Sequence, residues 1–351
     1  MRRVDTTARQ HDCICATTVP EKPLKEDRPI MRVLIGLAAI AAALMLPGAA
    51  RAWPDRPVTI ISNFGAGSPV DLIARLIAPK LQGAWGQPVV VQNVVGAAGV
   101  IGADRVAKAV PDGHTLLVTG DAAMVVRGSM DPKPPYVTQR DLAPISQLAI
   151  TPNILVVANA VPAANLQELL ALGRARPGQL TFAHLGAGTS QHIGGEMLRQ
   201  MTGVELTPVS YNDAGAQIQD VLAGRVTMSF NNVVATLPRI HDGSWRALGV
   251  SSAGRIAAAP EIPTIAEQGV PGFAAVTWLG FLAPAGTSPA LLARLHSDAL
   301  AALRAPDLQP RFLELGIEPV GSTPEEFTAL IGREIPRMAG VLERAGMLAP
   351  R

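Results

Sequence analysis

The stretch Thr59-Ile60-Ile61-Ser62-Asn63-Phe64-Gly65-Ala66-Gly67-Ser68-Pro69-Val70-Asp71 sets narrow limits on what this chain can become. Val58 to Ile61 is a β-branched run of the kind that makes a buried parallel strand. Gly65, Ala66 and Gly67 follow, and residues this small let backbone N–H groups come close to a ligand. Ser68 reads as an N-cap and Pro69 as the first helical residue, where a missing N–H is harmless. Asp71 gives a Ser-x-x-Asp form of the capping box, the bland reading of a residue that is also placed to bind an amino or hydroxyl group. A helix start facing a glycine loop is an anion site, because free N–H groups and the helix dipole both favour negative charge. The expected donors are Gly67, Ser68 and one more residue.

The pattern then repeats. A helix is predicted from Pro69 to about Leu81, with Ile73, Leu76 and Ile77 on its apolar face and Pro79 kinking or shortening it. Pro88 to Gln92 is a second strand, Gly96 to Gly99 a second glycine run, Val100 to Ala109 a helix, and Thr115 to Val118 a third strand. Such alternation predicts a parallel sheet with right-handed crossovers, whose ligands sit at the carboxyl ends of the strands. Thr119 and Asp121 fall at that edge. Past a Pro-rich surface loop at 128–140, Leu180 to His184 leads into Gly186-Ala187-Gly188-Thr189-Ser190-Gln191-His192 and a helix to Met201. Two such units predict an α/β protein of two lobes, each a mainly parallel sheet flanked by helices, with helix N-termini facing each other. Strand Thr207 to Tyr211, helix Ala214 to Leu222 and strand Val226 to Phe230 complete the second unit. The C-terminal helices, Pro289 to Arg304 and Pro324 to Ala345, have no sheet of their own. Lobe one is therefore expected to comprise 53–152 and 275–351, and lobe two 153–274.

Composition bears on partners and compartment. The 351 residues suffice for two domains, and only 17% are charged. Eight Lys/Arg and five Asp/Glu lie in the first 52 residues, which leaves the rest near −1 and argues against a nucleic-acid partner. Met31-Arg32, the apolar run Val33 to Leu46 and Ala50-Arg51-Ala52 read as a signal peptide at 31–52 with a small-x-small cleavage site. An N-terminal anchor helix is the alternative, though the run is short for a membrane span. Residues 1–30 read as an upstream mis-start or a real extension. Cys13 and Cys15 both lie in the leader, so the mature chain offers no disulfide, thiol nucleophile or Cys metal site. His114, His184, His192, His241 and His296 lack paired metal-ligand spacing. Ser190 lies in no Gly-x-Ser-x-Gly elbow, and no dinucleotide fingerprint is present.

The sequence resembles the periplasmic substrate-binding proteins of tripartite tricarboxylate transporters, the Bug receptors, from Trp53 to the C-terminus. The matching pieces are Trp53-Pro54 with Pro57-Val58; Phe64 to Asp71 with Ala74-Arg75; and Gly86 to Val91 with Asn93. Gly96 to Gly102, Pro111-Asp112-Gly113, and Gly186-x-Gly188-Thr189-x-x-His192 with Glu196 follow. The last are Leu222-x-Gly224, Arg255 with Pro263-Thr264 and Glu267-x-Gly269, and Ala283 to Thr287. Their order and spacing carry the match. The resemblance implies a two-lobed Venus flytrap receptor without catalysis or cofactor, gripping a small carboxylate with the loops at 64–71 and 186–192. The chain departs from the family's usual Pro-Gly-Gly at Ala66-Gly67-Ser68 and from its usual Lys-Gly at Asn212-Asp213.

The candidate ligand-binding residues are Phe64, Gly65, Ala66, Gly67, Ser68, Asp71, Thr119, Asp121, Gly186, Gly188, Thr189, Ser190, His192, Tyr211, Asn212, Asp213 and Asn231. Each has a plainer reading. Ser68 caps a helix, as does either Thr189 or Ser190. His192 and Glu196 make an ordinary i,i+4 pair. Phe64 is a cleft wall, and Trp278 packs at a hinge. The expected partners are a small organic acid or amino-acid-like carboxylate and the subunits of a membrane transporter, for a monomer in the periplasm. A same-fold receptor reporting to a sensor partner and a secreted hydrolase are the alternatives. Protein recovered from the periplasm is expected to begin at Trp53, as mass spectrometry will show; residues 1–52 intact on cytoplasmic protein would exclude export.

Overall fold

β1 (Val58–Ser62) is buried on both faces, with Val58 and Ile60 in one apolar cluster and Ile61 in another. The computed structural model describes residues 53–130 and 133–348, so the expected signal peptide lies outside the described residues. After β1 come α1 (Pro69–Trp85), β2 (Val89–Asn93), α2 (Val100–Ala107), β3 (Thr115–Gly120), α3 (Thr138–Asp141), β4 (Leu142–Thr151) and β5 (Asn153–Ala158). α4 (Leu166–Ala175), β6 (Leu180–His184), α5 (Ser190–Thr202), β7 (Leu206–Ser210), α6 (Ala214–Leu222), β8 (Met228–Asn232), α7 (Val233–His241) and β9 (Trp245–Val250) follow. The chain closes with β10 (Thr277–Pro284), α8 (Pro289–Leu303), α9 (Gln309–Glu314), β11 (Glu318–Pro319) and α10 (Pro324–Arg344). A π-helical turn at Ala122–Val126 precedes the segment read as loop, and α3 closes it.

α1 runs to Trp85 with Pro79 inside it. Ile73, Ile77, Leu81 and Trp85 share one buried face, and that packing outweighs the hydrogen bond that Pro79 forfeits. Gly86, at φ 66, ends the helix in the left-handed conformation.

The strands form two sheets, β11-β4-β10-β3-β1-β2 and β7-β6-β8-β5-β9. Both are mixed rather than mainly parallel. β1 is parallel to β2 and β3, and β6 to β7 and β8. β10 runs antiparallel to β3 and β4, and β5 to β8 and β9. The cause is the seam between the lobes: β4 carries the chain out of the first sheet and β10 carries it back, so the two must oppose each other. Strands of the first sheet come from 58–151 and 277–319, and those of the second from 153–250.

At the seam the crossings are tied together. Asn153 N–H donates to Ser251 Oγ at 2.9 Å, Ser251 N–H to the Asn153 carbonyl at 2.8 Å, and Ala275 N–H to the Ser251 carbonyl at 2.9 Å. Trp278 is buried here, edge-on to Phe327 of α10 with ring centroids 5.4 Å apart. β5 alternates as a strand should: Ile154 and Val156 enter the outer core of the second sheet, Leu155 and Val157 a cluster continuous with the first. α10 carries that shared cluster through Phe327, Ile331, Met338 and Leu342. It touches both lobes, since it packs on β4 and Val341 accepts the Gln200 side-chain amide of α5 at 3.0 Å.

Gly195 of α5 lies against the Phe182 ring, where a Cβ would overlap the ring edge. Gly195→Val is expected to cost about 1–3 kcal/mol by overpacking, measured as a lower urea midpoint; an unchanged midpoint would mean that the ring moves aside freely.

Candidate functional site

Two loops whose backbones match at the second glycine and the N-cap face one cavity. In the first, Ser68 is the N-cap of α1 at φ −68, ψ 157, and its Oγ accepts the Asp71 N–H at 3.3 Å. The Asp71 carboxylate reaches one residue further back than a capping box requires and accepts the Gly67 N–H at 2.9 Å. It also accepts Arg75 Nε at 2.9 Å and Asn93 Nδ2 at 2.8 Å. Burial alone would raise the Asp71 pKa, but Arg75, the Gly67 N–H and Asn93 together hold it below the usual value. In the second loop Thr189 caps α5 at φ −69, ψ 157, with Oγ1 accepting the His192 N–H at 3.4 Å. His192 Nδ1 accepts the Gly188 N–H at 3.4 Å, in the place that Asp71 takes in the first loop. Gly67 and Gly188 share φ 79, a conformation costly for any residue with a Cβ.

His184 supports the second loop from behind. Its Nδ1 accepts the Gly186 N–H at 3.1 Å, and its ring stacks on His192 with centroids 4.0 Å apart. Burial lowers the His184 pKa. Burial and then repulsion from His184 bring His192 down to about 4. Both rings are therefore neutral near pH 7, as accepting at Nδ1 demands.

The glycine N–H groups expected to meet a ligand are thus engaged on the protein side. Ser68 N–H donates to the Gly65 carbonyl at 3.1 Å and Thr189 N–H to that of Gly186 at 3.3 Å. The N–H groups of Val70, Ser190 and Gln191, within the first turns of α1 and α5, form no hydrogen bond within the described residues.

A cavity of about 260 Å³ lies between the loops. Phe64, Ser68, Pro69 and Val70 line one side, Leu185, Thr189, Ser190 and Gln191 the other. Gly120, Asp121 and Ala122 follow β3, Asn232 caps α7, and Thr151, Asn153 and Thr277 come from the seam. A neighbouring cavity of about 220 Å³ shares Pro69, Thr151 and Asn232 with it and extends along Gly67 and α7. The main cavity has no Lys, Arg or His in its lining; Asp121 is its one ionisable group. Burial, with Glu334 adding to it, raises the Asp121 pKa to about 7 against the opposing N–H groups of Asp121 and Ala122 and against Arg337.

Of the residues named from sequence, Phe64, Ser68, Asp121, Thr189 and Ser190 meet at this cavity, and Gly67 borders its neighbour. Gly65 and Ala66 are exposed on the loop. Asp71, Gly186 and His192 brace the loops as described. Gly188 packs against lobe-one residues, where a Cβ would stand 2.8 Å from Val126 Cγ1. Thr119 is buried and accepts Asn63 Nδ2 at 2.8 Å. Tyr211, Asn212 and Asp213 follow the edge strand β7: Tyr211 OH donates to Asp220 at 2.7 Å, Asp213 caps α6, and Asn212 is exposed. Asn231 is buried and accepts Gln191 Nε2 at 3.1 Å, while its neighbour Asn232 lines the cavity. Pro69, Val70, Gly120, Ala122, Leu185, Gln191, Asn232 and the seam residues were missed. An Asn before Val233-Val234-Ala235 was a readable N-cap signal for Asn232; the seam residues had none.

A family model described as "Tripartite tricarboxylate transporter family receptor" matches residues 73–347. Protein BugT of Bordetella pertussis is 36% identical over 314 residues, spanning 89% of this chain and 96% of BugT. Rpa4515 of R. palustris, solved with adipate, aligns at TM-score 0.74 and 32% identity over 84% of this chain and 99% of its own. MatC from Rhodopseudomonas palustris, solved with bound malate, aligns at 0.70 and 30% over 83% of this chain and 100% of its own.

Asp71→Ala is expected to lower stability at neutral pH by about 2–3 kcal/mol, through loss of a buried charged acceptor. Because the folded-state pKa is depressed, that stabilisation holds above the ordinary aspartate value and vanishes as pH falls through the folded one. Urea unfolding from pH 7 down to pH 3 should therefore show the gap to wild type closing; a gap independent of pH would assign the loss to packing.

Proposed function

This chain belongs to the tripartite tricarboxylate transporter receptor family, and from that premise we propose that it is an exported solute receptor. It binds a small carboxylate-containing ligand between its two lobes and delivers it to a membrane transporter of that type. The family and its solved neighbours are solute-binding receptors, not enzymes.

One observation carries the ligand reading. The matched starts of α1 and α5 open on a single cavity whose lining has no basic side chain. An anion held there takes its hydrogen bonds from Val70, Ser190 and Gln191 and its long-range attraction from two helix dipoles. Charge-assisted bonds of this kind contribute roughly 1.5–3 kcal/mol each. Three of them, less the cost of ordering the ligand, suffice for micromolar binding of a small acid. Adipate and malate in the two solved relatives support a carboxylate ligand. Bonds drawn from both lobes favour the arrangement in which both loops reach the ligand, so binding shifts the population toward it.

A thermal-shift screen against organic acids tests the reading. At a hundredfold excess over Kd, a true ligand stabilises the fold by about 2.7 kcal/mol. Ser190→Pro tests the mechanism. Proline at the first helical position removes the N–H donor, along with the Oγ that accepts Asn153 Nδ2 at 3.1 Å, without breaking the helix, as Pro69, Pro289 and Pro324 show in α1, α8 and α10. Thr189 is already extended, as a residue before proline must be. The variant should melt near wild type without ligand and bind the acid roughly ten- to a hundredfold more weakly. Unchanged affinity would remove the Ser190 N–H from the site, and no shift with any acid would overturn the carboxylate reading.

A further inference from the structure

Asp121 is the one feature of the cleft that a plain anion site does not explain. It stands at the carboxyl end of β3 and shares the cavity lining with the apolar Phe64, Val70 and Leu185. The charged groups facing it from α10 are Glu334 and Arg337. They are engaged with each other, Arg337 Nε donating to Glu334 Oε1 at 2.9 Å and NH2 to Oε2 at 2.7 Å. Asp121 itself has no ion-pair partner among the described residues. A desolvated carboxylate without a counter-charge is costly, and a ligand cation removes that cost.

We infer that Asp121 selects ligands bearing an ammonium group besides the carboxylate, with the carboxylate at the starts of α1 and α5 and the ammonium on Asp121. The inference rests on the carboxylate reading above and narrows it to small amino acids or close analogues. A ligand with two carboxylates and no amine would set a second negative charge against Asp121 or leave it unpaired. The apolar walls strengthen the contact by keeping water out. An ammonium favours ionised Asp121, whose pKa of about 7 otherwise leaves it half protonated at neutral pH. Binding of the amine is thus linked to loss of a proton from Asp121 and weakens as pH falls. The ionised fraction drops about tenfold between pH 8 and pH 6, while the amine of a free amino acid stays charged.

Titration calorimetry with matched pairs tests this: alanine against propionate, aspartate against succinate, and glutamate against glutarate, at pH 8 and pH 6. The amine-bearing member of the binding pair is expected to be at least tenfold tighter at pH 8 and about tenfold weaker at pH 6 than at pH 8. Asp121→Asn should erase both the preference and the pH dependence while still binding the acid without the amine. If that variant does not fold, the wild-type pairs and their pH dependence decide alone. Equal or tighter binding of the acid lacking the amine overturns the inference and leaves the carboxylate reading standing. So does affinity that rises toward pH 6, which would make Asp121 a proton donor to a second carboxylate. No binding by any of the acids, with or without an amine, overturns the carboxylate reading and this inference with it.

Discussion

The cleft depends on where the N–H groups of Gly67 and Gly188 go. Each is taken from the protein side by the side chain four residues on, Asp71 or His192. That bond holds the glycine at φ 79, sets the N-cap extended, and turns the following N–H groups outward. The two acceptors reach the same geometry by different electrostatics. Asp71 is an anion, and left alone beside a helix N-terminus it would compete with a bound anion for the dipole; Arg75 answers its charge. His192 is neutral, kept so by burial and by the stacked His184. Neither fastener cancels the positive end of its helix.

The seam and α10 determine how the loops can meet. The crossings at 151–153 and 251–277 are hydrogen-bonded to each other, and α10 packs on both lobes through one continuous apolar cluster. Close-packed clusters do not deform smoothly. Any change in the width of the cleft therefore falls on the few backbone torsions of the crossings. Thr151, Asn153 and Thr277 are at once crossing residues and cavity lining, so a ligand held between the loops also touches the segments that set their separation.

What could be read in the sequence was local. Ser68-Pro69 announced its cap, Thr189-Ser190 narrowed the second to two residues, and the β-branched runs announced the strands that the two loops leave. What could not be read was set by partners far along the chain. The antiparallel course of β10 follows from its return to the first sheet, which no local pattern encodes. The displacement of Tyr211, Asn212 and Asp213 follows from β7 being an edge strand. Asn231 and Asn232 show how fine the margin is: the strand runs through Asn232, so Asn231 turns inward to Gln191 and its neighbour reaches the cavity. Period-two alternation makes a one-residue slip a change of side.

Two of the departures from the family pattern, Ser68 and Asp213, have a common explanation in the caps. Ser68, where the family usually has glycine, supplies the hydroxyl that accepts the Asp71 N–H. Asp213, likewise in place of glycine, caps α6 through the Ala216 N–H at 2.8 Å. Asn212 is exposed beyond the edge strand, so the lysine usual there is missing from a position outside the cavity lining. These changes stabilise helix starts without adding charge to the cavity. On the proposed carboxylate reading, the backbone of the two loops would serve any anion and carries no information about the remainder of the ligand. Discrimination has to come from side chains that no cap or strand requires. Among those lining the cavity, Asn232 is committed to capping α7, Asn153 to Ser190 Oγ, and Gln191 to Asn231 and the Leu185 N–H. Asp121 meets only its own N–H and that of Ala122, with no side-chain hydrogen bond among the described residues, and burial still raises its pKa.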